Sequence, residues 1–440
     1  MKLHKKIFVL ILVSVLTTNI QLYSQVRSGS ETTELSLSLA IEKALENNYG
    51  IIISDFDTEV AGINNSWGQA GRYPTIDLSL SSANNLNINS SSTSGINRLT
   101  GGAGVRWVLF NGFKVSLTKE KLETLNELAQ GRSAIVVENT IQDIIQAYYT
   151  ALLQSERQKV YQKVMEVSKD RYDAEENLKE YGGAVTYQVL QAKNSFLSDQ
   201  YQYLNQEILV KVSIRNLNYL MAEDSDNMWL LSDPFEHKSE SFAASDLISK
   251  VKSSNNTLQN QYINLQVAKS NLSLAMANFF PSLSFSSGVD NTLSNQFLLT
   301  QGNEVSNGLT PYANLTLSYN LYSGGSRKRA QQIAEIGEEI AETEISEMEH
   351  LVTNQILNEL DAYRIRKVQL DVATESLEAA EMNLEIAAEK LRSGSINSFN
   401  YRDIQLVYLN TAIQKLQAIY ALIQSHTNLT RLTGGFVSEK

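Results

Sequence analysis

The chain has 440 residues, of which 48 are acidic and 37 basic, with four prolines and no cysteine. A formal net charge of −11 argues against a nucleic-acid partner, because phosphate neutralisation needs clustered Lys and Arg. The lack of cysteine excludes disulfides, thiolate metal sites and cysteine nucleophiles. So few prolines in so long a chain permit very long uninterrupted helices.

The N-terminus has the pattern of a secretory signal peptide. Lys2, Lys5 and Lys6 precede an apolar run over residues 7–16, and Ser24 supplies a small residue at the expected cleavage site. The alternative is a short membrane anchor, but a spanning helix needs roughly 20 apolar residues. We therefore predict a signal peptide over residues 1–24 and an exported, acidic mature protein.

The rest of the chain is predicted to be an internal duplication. Pro74 recurs as Pro281 after 207 positions, and Gly182 recurs as Gly394 after 212 positions. Because several landmarks keep their order and spacing, we interpret the two halves as copies of one unit. The predicted units are a first repeat, an irregular linker and a second repeat: residues 25–222, 223–242 and 243–440.

Each repeat is predicted to begin with a helix followed by two strands. Apolar residues at helical spacing predict helices over about residues 35–71 and 243–278. Alternation of apolar and polar residues predicts strand pairs over about 75–110 and 282–322. The centre of each pair is rich in polar residues and is predicted to be a loop: residues 81–98 and 290–308.

A long helix, a turn and a return helix complete each repeat. The long helices are predicted over about residues 112–180 and 326–391, each roughly 100 Å long at about 1.5 Å per residue. A helix that reverses direction favours a residue tolerant of positive φ, which glycine supplies. We therefore place the two turns at Gly182 with Gly183, and at Gly394. Thr186 and Ser398 are expected to cap or hydrogen-bond the first turn of the returning helices.

Aromatic residues, prolines and glycines gather where the predicted strands meet the helices. Four strands cannot close a membrane barrel, whereas three copies would supply twelve. An aromatic girdle marks the lipid–water interface of such a barrel; the alternative is that these rings fill a core at a helix-to-sheet corner. The candidate junction residues are Tyr73, Pro74, Phe110, Gly112, Phe113, Phe280, Pro281, Tyr322 and Gly324.

The sequence contains no catalytic motif, so we predict that the protein is not an enzyme and has no cofactor or metal. It lacks a G-x-S-x-G elbow, a phosphate-binding loop and an H-E-x-x-H spacing. His237, His350 and His426 are scattered along the chain and are predicted to be surface or packing residues. The glycine-rich segment 101–104 precedes a strand rather than a helix, which excludes a P-loop.

An ordered set of motifs resembles the TolC family of bacterial outer-membrane efflux proteins along nearly all of the mature chain. The motifs are residues 37–48, the two Tyr/Phe-Pro junctions, the turns Phe110-Asn111-Gly112 and Tyr322-Ser323-Gly324, and the final helix end over 429–434. The resemblance implies a mainly α fold with β, in which long helical hairpins and four strands per protomer build a homotrimer. That trimer would have a twelve-stranded barrel in outer-membrane lipid and a periplasmic helical tunnel. It would dock a periplasmic adaptor and an inner-membrane transporter of the RND, ABC or MFS class.

The resemblance also places the two helix turns at the periplasmic tip, where the tunnel narrows and the adaptor engages. The second turn offers only one carboxylate, because Asn400 and Asp403 occupy positions that are often both acidic in the family. We predict that Asp403 and Asn400 line the tip and tune cation passage. Arg402 is predicted to pair with Asp403, to pair with an acid on a neighbouring helix, or to be a solvated surface charge. The candidate tip residues are Gln188, Gln191, Asn400, Tyr401, Arg402 and Asp403.

The predicted function is a passive outer-membrane exit duct. A soluble periplasmic adaptor or coiled-coil scaffold is the alternative, although an adaptor would need many short strands between its helices. Export of small molecules and export of proteins both remain open, since an upstream pump would select the cargo.

Overall fold

A computed structural model describes residues 33–89, 92–183, 185–237, 240–298 and 302–436. The predicted signal peptide lies outside the described residues. The helices, in chain order, are α1 (Leu37–Asn47), α2 (Tyr49–Asn64), α3 (Lys114–Glu180), α4 (Thr186–Leu220), α5 (Ala244–Ser254), α6 (Asn256–Ala277), α7 (Ser326–Arg392) and α8 (Ser398–Leu432). The strands are β1 (Thr33–Leu35), β2 (Thr75–Asn89), β3 (Ser92–Phe110), β4 (Trp229–Leu231), β5 (Ser282–Leu298) and β6 (Gly302–Ser318).

The opening helix of each repeat is broken in two. Helix α1 gives way to α2 at Asn48, and α5 gives way to α6 at Asn255. The predictions of single helices over residues 35–71 and 243–278 were therefore wrong.

A doubly bonded asparagine explains each break. The Asn48 side chain accepts a hydrogen bond from the first turn of α2 and donates one to the Leu220 carbonyl at the end of α4, both at 2.8 Å. The Asn255 side chain accepts from the first turn of α6 and donates to the Leu432 carbonyl at the end of α8, both at 2.9 Å. Each asparagine therefore caps one helix and also hydrogen-bonds the C-terminal end of another helix. These bonds compensate for the helical hydrogen bonds that the break removes.

The strands run through the segments that were predicted to be polar loops. Strands β2 and β3 pair as far as Asn89 and Ser92, and β5 and β6 pair as far as Leu298 and Gly302. Ladder hydrogen bonds satisfy the backbone whatever the side chains are, so a polar hairpin end can continue the sheet. The prediction of polar loops over residues 81–98 and 290–308 was therefore wrong over most of both segments.

The four long strands form one antiparallel sheet in the order β2-β3-β5-β6. Strands β2 and β6 are its edges, and within the described residues each pairs on one side only. Along β2, Ile76, Leu78 and Leu80 lie on one face, with Leu78 89% exposed, while Asp77 and Ser79 lie on the other. The sheet therefore has an exposed apolar face and a polar face.

The helices pack in a linear order that matches the sheet. Near the sheet the order is α2-α3-α6-α7, and farther away it is α4-α3-α8-α7. Each level thus has a first-repeat helix at one edge and α7 of the second repeat at the other. Among the described residues, no helix is both long enough and apolar enough to cross a membrane.

A short parallel pair, β1 with β4, was not predicted. Strand β4 lies inside the linker that was expected to be irregular. The pair is tied to α3 by Tyr148, whose hydroxyl lies 2.6 Å from the Asp233 carboxylate and 2.9 Å from the Leu35 carbonyl. Leu35, Tyr148 and Leu217 belong to one buried cluster. Trp229 and Leu231 pack against that cluster, so the linker contributes to the protomer's core.

Candidate functional site

Both hairpin turns have the same glycine-dependent geometry. Gly182 and Gly394 have φ values of +78° and +71°, the left-handed region that an L side chain adopts only with strain. Their amides donate at 3.0 Å to the carbonyls of Lys179 and Leu391, which closes the last turn of each long helix. Gly183 follows the first turn, and its amide donates to a carbonyl of α3 at 2.7 Å.

The return helices are capped by residues other than those expected. Thr186 and Ser398 were the expected caps, but they are the first helical residues of α4 and α8. The Gln188 side chain instead accepts a hydrogen bond from the Val185 amide at 3.1 Å. The Asn397 side chain accepts from the first turn of α8 at 2.9 Å.

Arg402 on α8 forms a bidentate ion pair with Asp199 on α4. The two guanidinium nitrogens lie 2.6 and 2.7 Å from the two carboxylate oxygens. The Asp199 side chain is only 5% exposed and that of Arg402 is 18% exposed. The structure therefore places Arg402 with an acid on a neighbouring helix, which was one of the open alternatives, and not with Asp403.

Helix α3 joins this ion pair through Ser168. The Ser168 hydroxyl donates to the Asp199 carboxylate and lies 3.3 Å from Arg402. Gln405 accepts from Arg402 at 2.9 Å and donates to Ser168 at 3.2 Å. We call these four residues the inter-hairpin cluster, because they connect the α3–α4 hairpin to α8.

Sequence reasoning missed Asp199, although the chain contains a signal for it. The buried face of α4 includes Ala192, Asp199, Gln206 and Ser213, which follow one another at intervals of seven residues. A carboxylate at such a position predicts a buried partner of opposite charge.

The other candidate tip residues divide into exposed and buried groups. Gln188, Asn400 and Asp403 are exposed, and Gln191 is half-buried. Tyr401 is buried, and burial raises the pKa of its hydroxyl. The structure therefore does not bring all six tip candidates into one constellation within a single protomer.

A groove of about 620 Å³ lies between the two hairpin tips, and Arg171 is one of its lining residues. Burial, and then the charge of Arg402, lower the pKa of the Arg171 guanidinium. Its Nη1 donates to the Ser398 carbonyl at 3.3 Å, across the groove. The rings of Tyr187 and Phe399 make a second contact between the hairpins, with centroids 6.4 Å apart.

The junction residues form an aromatic contact at the end of the sheet. The Phe113 ring lies edge-on to those of Phe110 and Phe280, at centroid distances of 5.3 and 6.1 Å. Gly112 has φ +69°, and a Cβ there would lie 2.5 Å from the Ala277 carbonyl, so only glycine fits.

The remaining junction residues stay largely exposed in the protomer. Tyr322 is 85% exposed, and Tyr73 is exposed as well. Pro74 and Pro281 directly precede β2 and β5, and Gly324 has φ +61° after β6. The protomer therefore presents these rings at its surface and does not bury them in a corner core.

Two of the histidines that looked scattered in sequence lie together. The rings of His237 and His426 have centroids 4.8 Å apart, and Tyr363 and Phe242 pack beside them. His237 and His426 are therefore packing residues, as predicted, although they lie far apart in sequence. Within the described ranges, no group of three or more His, Cys, Asp or Glu side chains could hold a metal ion.

Comparison with known proteins matches both repeats. A sequence model described as outer membrane efflux protein matches residues 40–223 and 247–435. The probable efflux pump outer membrane protein TtgC of Pseudomonas putida is 21% identical over 322 residues, which are 73% of this chain. The chain spans 65% of the length of that curated relative.

Solved structures share the fold. The CmeC outer membrane channel of Campylobacter jejuni is 17% identical with a TM-score of 0.73, covering 91% of this chain and 85% of CmeC. The outer membrane protein VceC of Vibrio cholerae is 15% identical with a TM-score of 0.69, covering 91% and 96%. Together with the match to both repeats, this confirms the resemblance to the TolC family: the chain belongs to the outer membrane efflux protein family.

Proposed function

We propose that three copies of this chain form the outer-membrane exit duct of a tripartite efflux pump or type I secretion system. The duct would passively conduct small molecules, or proteins, from an inner-membrane transporter and a periplasmic adaptor to the exterior. One observation carries the proposal: each protomer has two open lateral edges, and the edges come from different repeats.

The sheet supplies the first pair of open edges. Strand β2 of the first repeat lies at one edge, and β6 of the second repeat lies at the other. An unpaired edge of 15 or 17 residues promotes strand pairing with another chain. Edge-to-edge pairing of β2 with β6 of the next copy would give twelve strands in three copies and leave no free edge.

The return helix α4 carries a stripe of apolar side chains that stay exposed in the protomer. Its members follow one another mainly at intervals of three, four or seven residues, the spacing of a coiled-coil seam. They are Tyr187, Leu190, Leu197, Tyr201, Leu204 and Ile208.

Helix α7, at the opposite edge, carries a similar stripe. Its members near the tip are Ile365, Val368, Val372, Met382 and Ile386. Helix α4 ascends from the tip and α7 descends towards it, so the stripe of one protomer would pack antiparallel against that of the next.

The same relation holds near the sheet. There, exposed apolar residues line α2, and others line the start of α7. Those of α2 are Tyr49, Ile53, Phe56, Val60 and Ile63, and those of α7 are Ile333, Ile336 and Ile340. At both helical levels and in the sheet, an edge from the first repeat of one copy would therefore meet an edge from the second repeat of the next copy. Such a head-to-tail contact generates a closed ring when the rotation per copy closes.

The polar face of the sheet would line the bore, and its apolar face would contact lipid. This arrangement needs no catalytic group, and the family comprises efflux ducts rather than enzymes. TtgC is named an efflux pump outer membrane protein and CmeC an outer membrane channel, which supports an outer-membrane location. The adaptor would engage the groove between the hairpin tips.

Asp403 and Asn400 would line the tip of the assembled duct. Three carboxylates about 10 Å apart in water repel by only about 0.4 kcal/mol per pair, so their charge would tune cation passage without setting closure. Closure would rest on packing and on the inter-hairpin cluster.

Purified protein in planar lipid bilayers tests the proposal. We expect discrete, cation-selective conductance steps, and we expect Asp403→Ala to lower the cation selectivity. Asp371→Ala, which removes an exposed acid from α7 farther from the tip, is the matched control. A protein that yields no conductance at all would contradict the duct; an unchanged selectivity in Asp403→Ala would contradict only the assignment of the tip.

A further inference from the structure

One narrow band of this acidic chain carries only positive charge. The band comprises the segments on either side of the four strand–helix junctions, residues 65–76, 110–118, 276–283 and 318–334, which contain no Asp or Glu. They do contain five cations, although acids outnumber bases by 48 to 37 in the whole chain. The five are Arg72, Lys114, Arg327, Lys328 and Arg329, which we call the cationic collar.

At three strand ends, the types of side chain follow the same order along the chain away from the sheet. Strand β6 ends in apolar positions, is followed by Tyr319 and Tyr322, and then reaches Arg327. Strand β3 is likewise followed by Phe113 and then by Lys114. Strand β2 shows the same order in the reverse direction along the chain, because Tyr73 and then Arg72 precede it. Apolar, aromatic and cationic layers in this order match the hydrocarbon, interface and headgroup layers of a bilayer leaflet.

The fourth junction, before β5, has no cation of its own but receives one from α7. The Arg327 guanidinium lies 5.3 Å from the Phe279 ring centroid, and its Nη1 is 3.4 Å from the Asn278 carbonyl. Lys114 also reaches this corner, where it donates to the Asn278 side chain. Cations from two helices therefore cover the corner that precedes β5.

The collar is not neutralised within the protomer. Among the described residues, no carboxylate oxygen lies within 4.0 Å of a collar nitrogen. Lys328 and Arg329 are exposed on the first turn of α7, and Arg72 stacks on the Trp67 ring at 4.5 Å. Clustered cations without counter-charges favour an anionic partner.

The opposite ends of the strands lack this charge. Residues 83–98 and 294–306, which pair with one another at the far ends of the strands, contain one base, Arg98, and one acid, Glu304. The positive band therefore belongs to one end of the sheet only, the end from which the long helices leave.

We propose that the cationic collar binds the anionic headgroups of phospholipids in the leaflet next to the helical tunnel. This inference rests on the membrane placement proposed above. Phosphate diesters suit the collar because guanidinium groups form bidentate, charge-assisted hydrogen bonds to phosphate oxygens. A lipid suits it better than a soluble anion because the exposed rings of Tyr73 and Tyr322 lie along the chain between the strand ends and the cations, where they favour an apolar partner.

Tryptophan fluorescence measures this binding directly. Of the three tryptophans, Trp67 stacks under Arg72 and Trp107 donates to the Arg72 carbonyl at 2.9 Å, so both lie beside the collar. In a Trp229→Phe parent, fluorescence reports the collar alone. The full-length protein is reconstituted into phosphatidylcholine vesicles containing a minor fraction of either brominated phosphatidylglycerol or brominated phosphatidylcholine.

We expect brominated phosphatidylglycerol to quench more strongly, corresponding to an enrichment of roughly fivefold or more beside the collar. Replacement of all five collar cations by Gln should abolish the difference. A matched variant replaces five exposed lysines elsewhere with Gln and should keep the preference: Lys169, Lys179, Lys250, Lys367 and Lys390.

The outcomes separate this inference from the proposed function. A parent protein that fails to insert into either vesicle would contradict the membrane placement itself. Insertion with equal quenching by both lipids would overturn the collar alone, as would loss of the preference in the matched variant. Abolition of the preference by inorganic phosphate at constant ionic strength would assign the collar to a soluble anion and overturn the lipid assignment.

Discussion

The inter-hairpin cluster should hold α8 against the α3–α4 hairpin, and Arg402→Ala is the change that breaks it. The Asp199 side chain is 5% exposed in the wild type, and the substitution removes its ion-pair partner and leaves Ser168 as its remaining close donor. Removing one partner of a buried ion pair costs about 3–5 kcal/mol. Because the Arg402 side chain keeps 18% exposure, we expect a loss near the lower end, about 3 kcal/mol.

A double-mutant cycle in detergent measures this interaction. Thermal or denaturant unfolding of Arg402→Ala, Asp199→Ala and the double variant should give a coupling energy of about 1–3 kcal/mol. The exposed pair Arg364–Asp361, with an N–O distance of 3.6 Å, is the matched control, and Arg364→Ala should cost less than about 1 kcal/mol. Losses at Arg402 and Asp199 that simply add would refute the reasoning, as would a loss no greater than that of the control.

The same variant has a functional consequence. Releasing α8 from α4 should loosen the hairpins at the tip, so Arg402→Ala should conduct more than the wild type in planar bilayers, and Arg364→Ala should not. Equal conductance in the wild type and Arg402→Ala would show that the cluster stabilises the fold without holding the tip.

Three further predictions concern individual side chains, each measured by thermal unfolding in detergent. Gly112→Ala should lower the free energy of unfolding by about 2 kcal/mol or more, because Gly112 has φ +69° and an added Cβ would lie 2.5 Å from the Ala277 carbonyl oxygen. Gly324→Ala, where an added Cβ meets open space, should lower it by about 1 kcal/mol. Equal losses in the two variants would contradict the clash. Burial, and then the charge of His426, lower the pKa of His237 below its ordinary 6.5. The unfolded chain therefore binds a proton more readily, so stability should fall as the pH drops below 6.5, and His237→Asn should reduce that fall. An unchanged pH profile in the variant would contradict this prediction. Burial raises the pKa of Glu138, which means that the folded state disfavours the charged carboxylate. Glu138→Gln should therefore stabilise the protein at neutral pH and lose that advantage as the pH approaches 4.5. A variant that is less stable than the wild type at every pH would contradict this prediction.

Much of the architecture follows from local pattern. The starts of β2 and β5 lie directly after Pro74 and Pro281, as the alternation predicted. The long helices end at Glu180 and Arg392, within a residue of the predicted ends, because a glycine turn follows each one. Periodicity and turn residues are local properties, so a single sequence reveals them.

The broken opening helices and the missed Asp199 have a different cause. Asn48 ends α1 because its side chain reaches the Leu220 carbonyl, which is 172 positions away in sequence. Asp199 and Arg402 are 203 positions apart, and neither residue alone identifies the other. Hydrogen bonds between distant segments decided these features, and helical or strand periodicity does not encode such pairs.

The central claim is that identical chains close head to tail, with α4 of one against α7 of the next. Leu197 and Met382 lie about 20 Å from their respective turns by helical rise, on the two exposed stripes. The chain has no native cysteine, so Leu197→Cys with Met382→Cys can be oxidised without side reactions. The double variant should give a covalent trimer on a non-reducing gel while each single variant stays monomeric. A double variant that remains monomeric, in protein that is otherwise folded, would contradict the account.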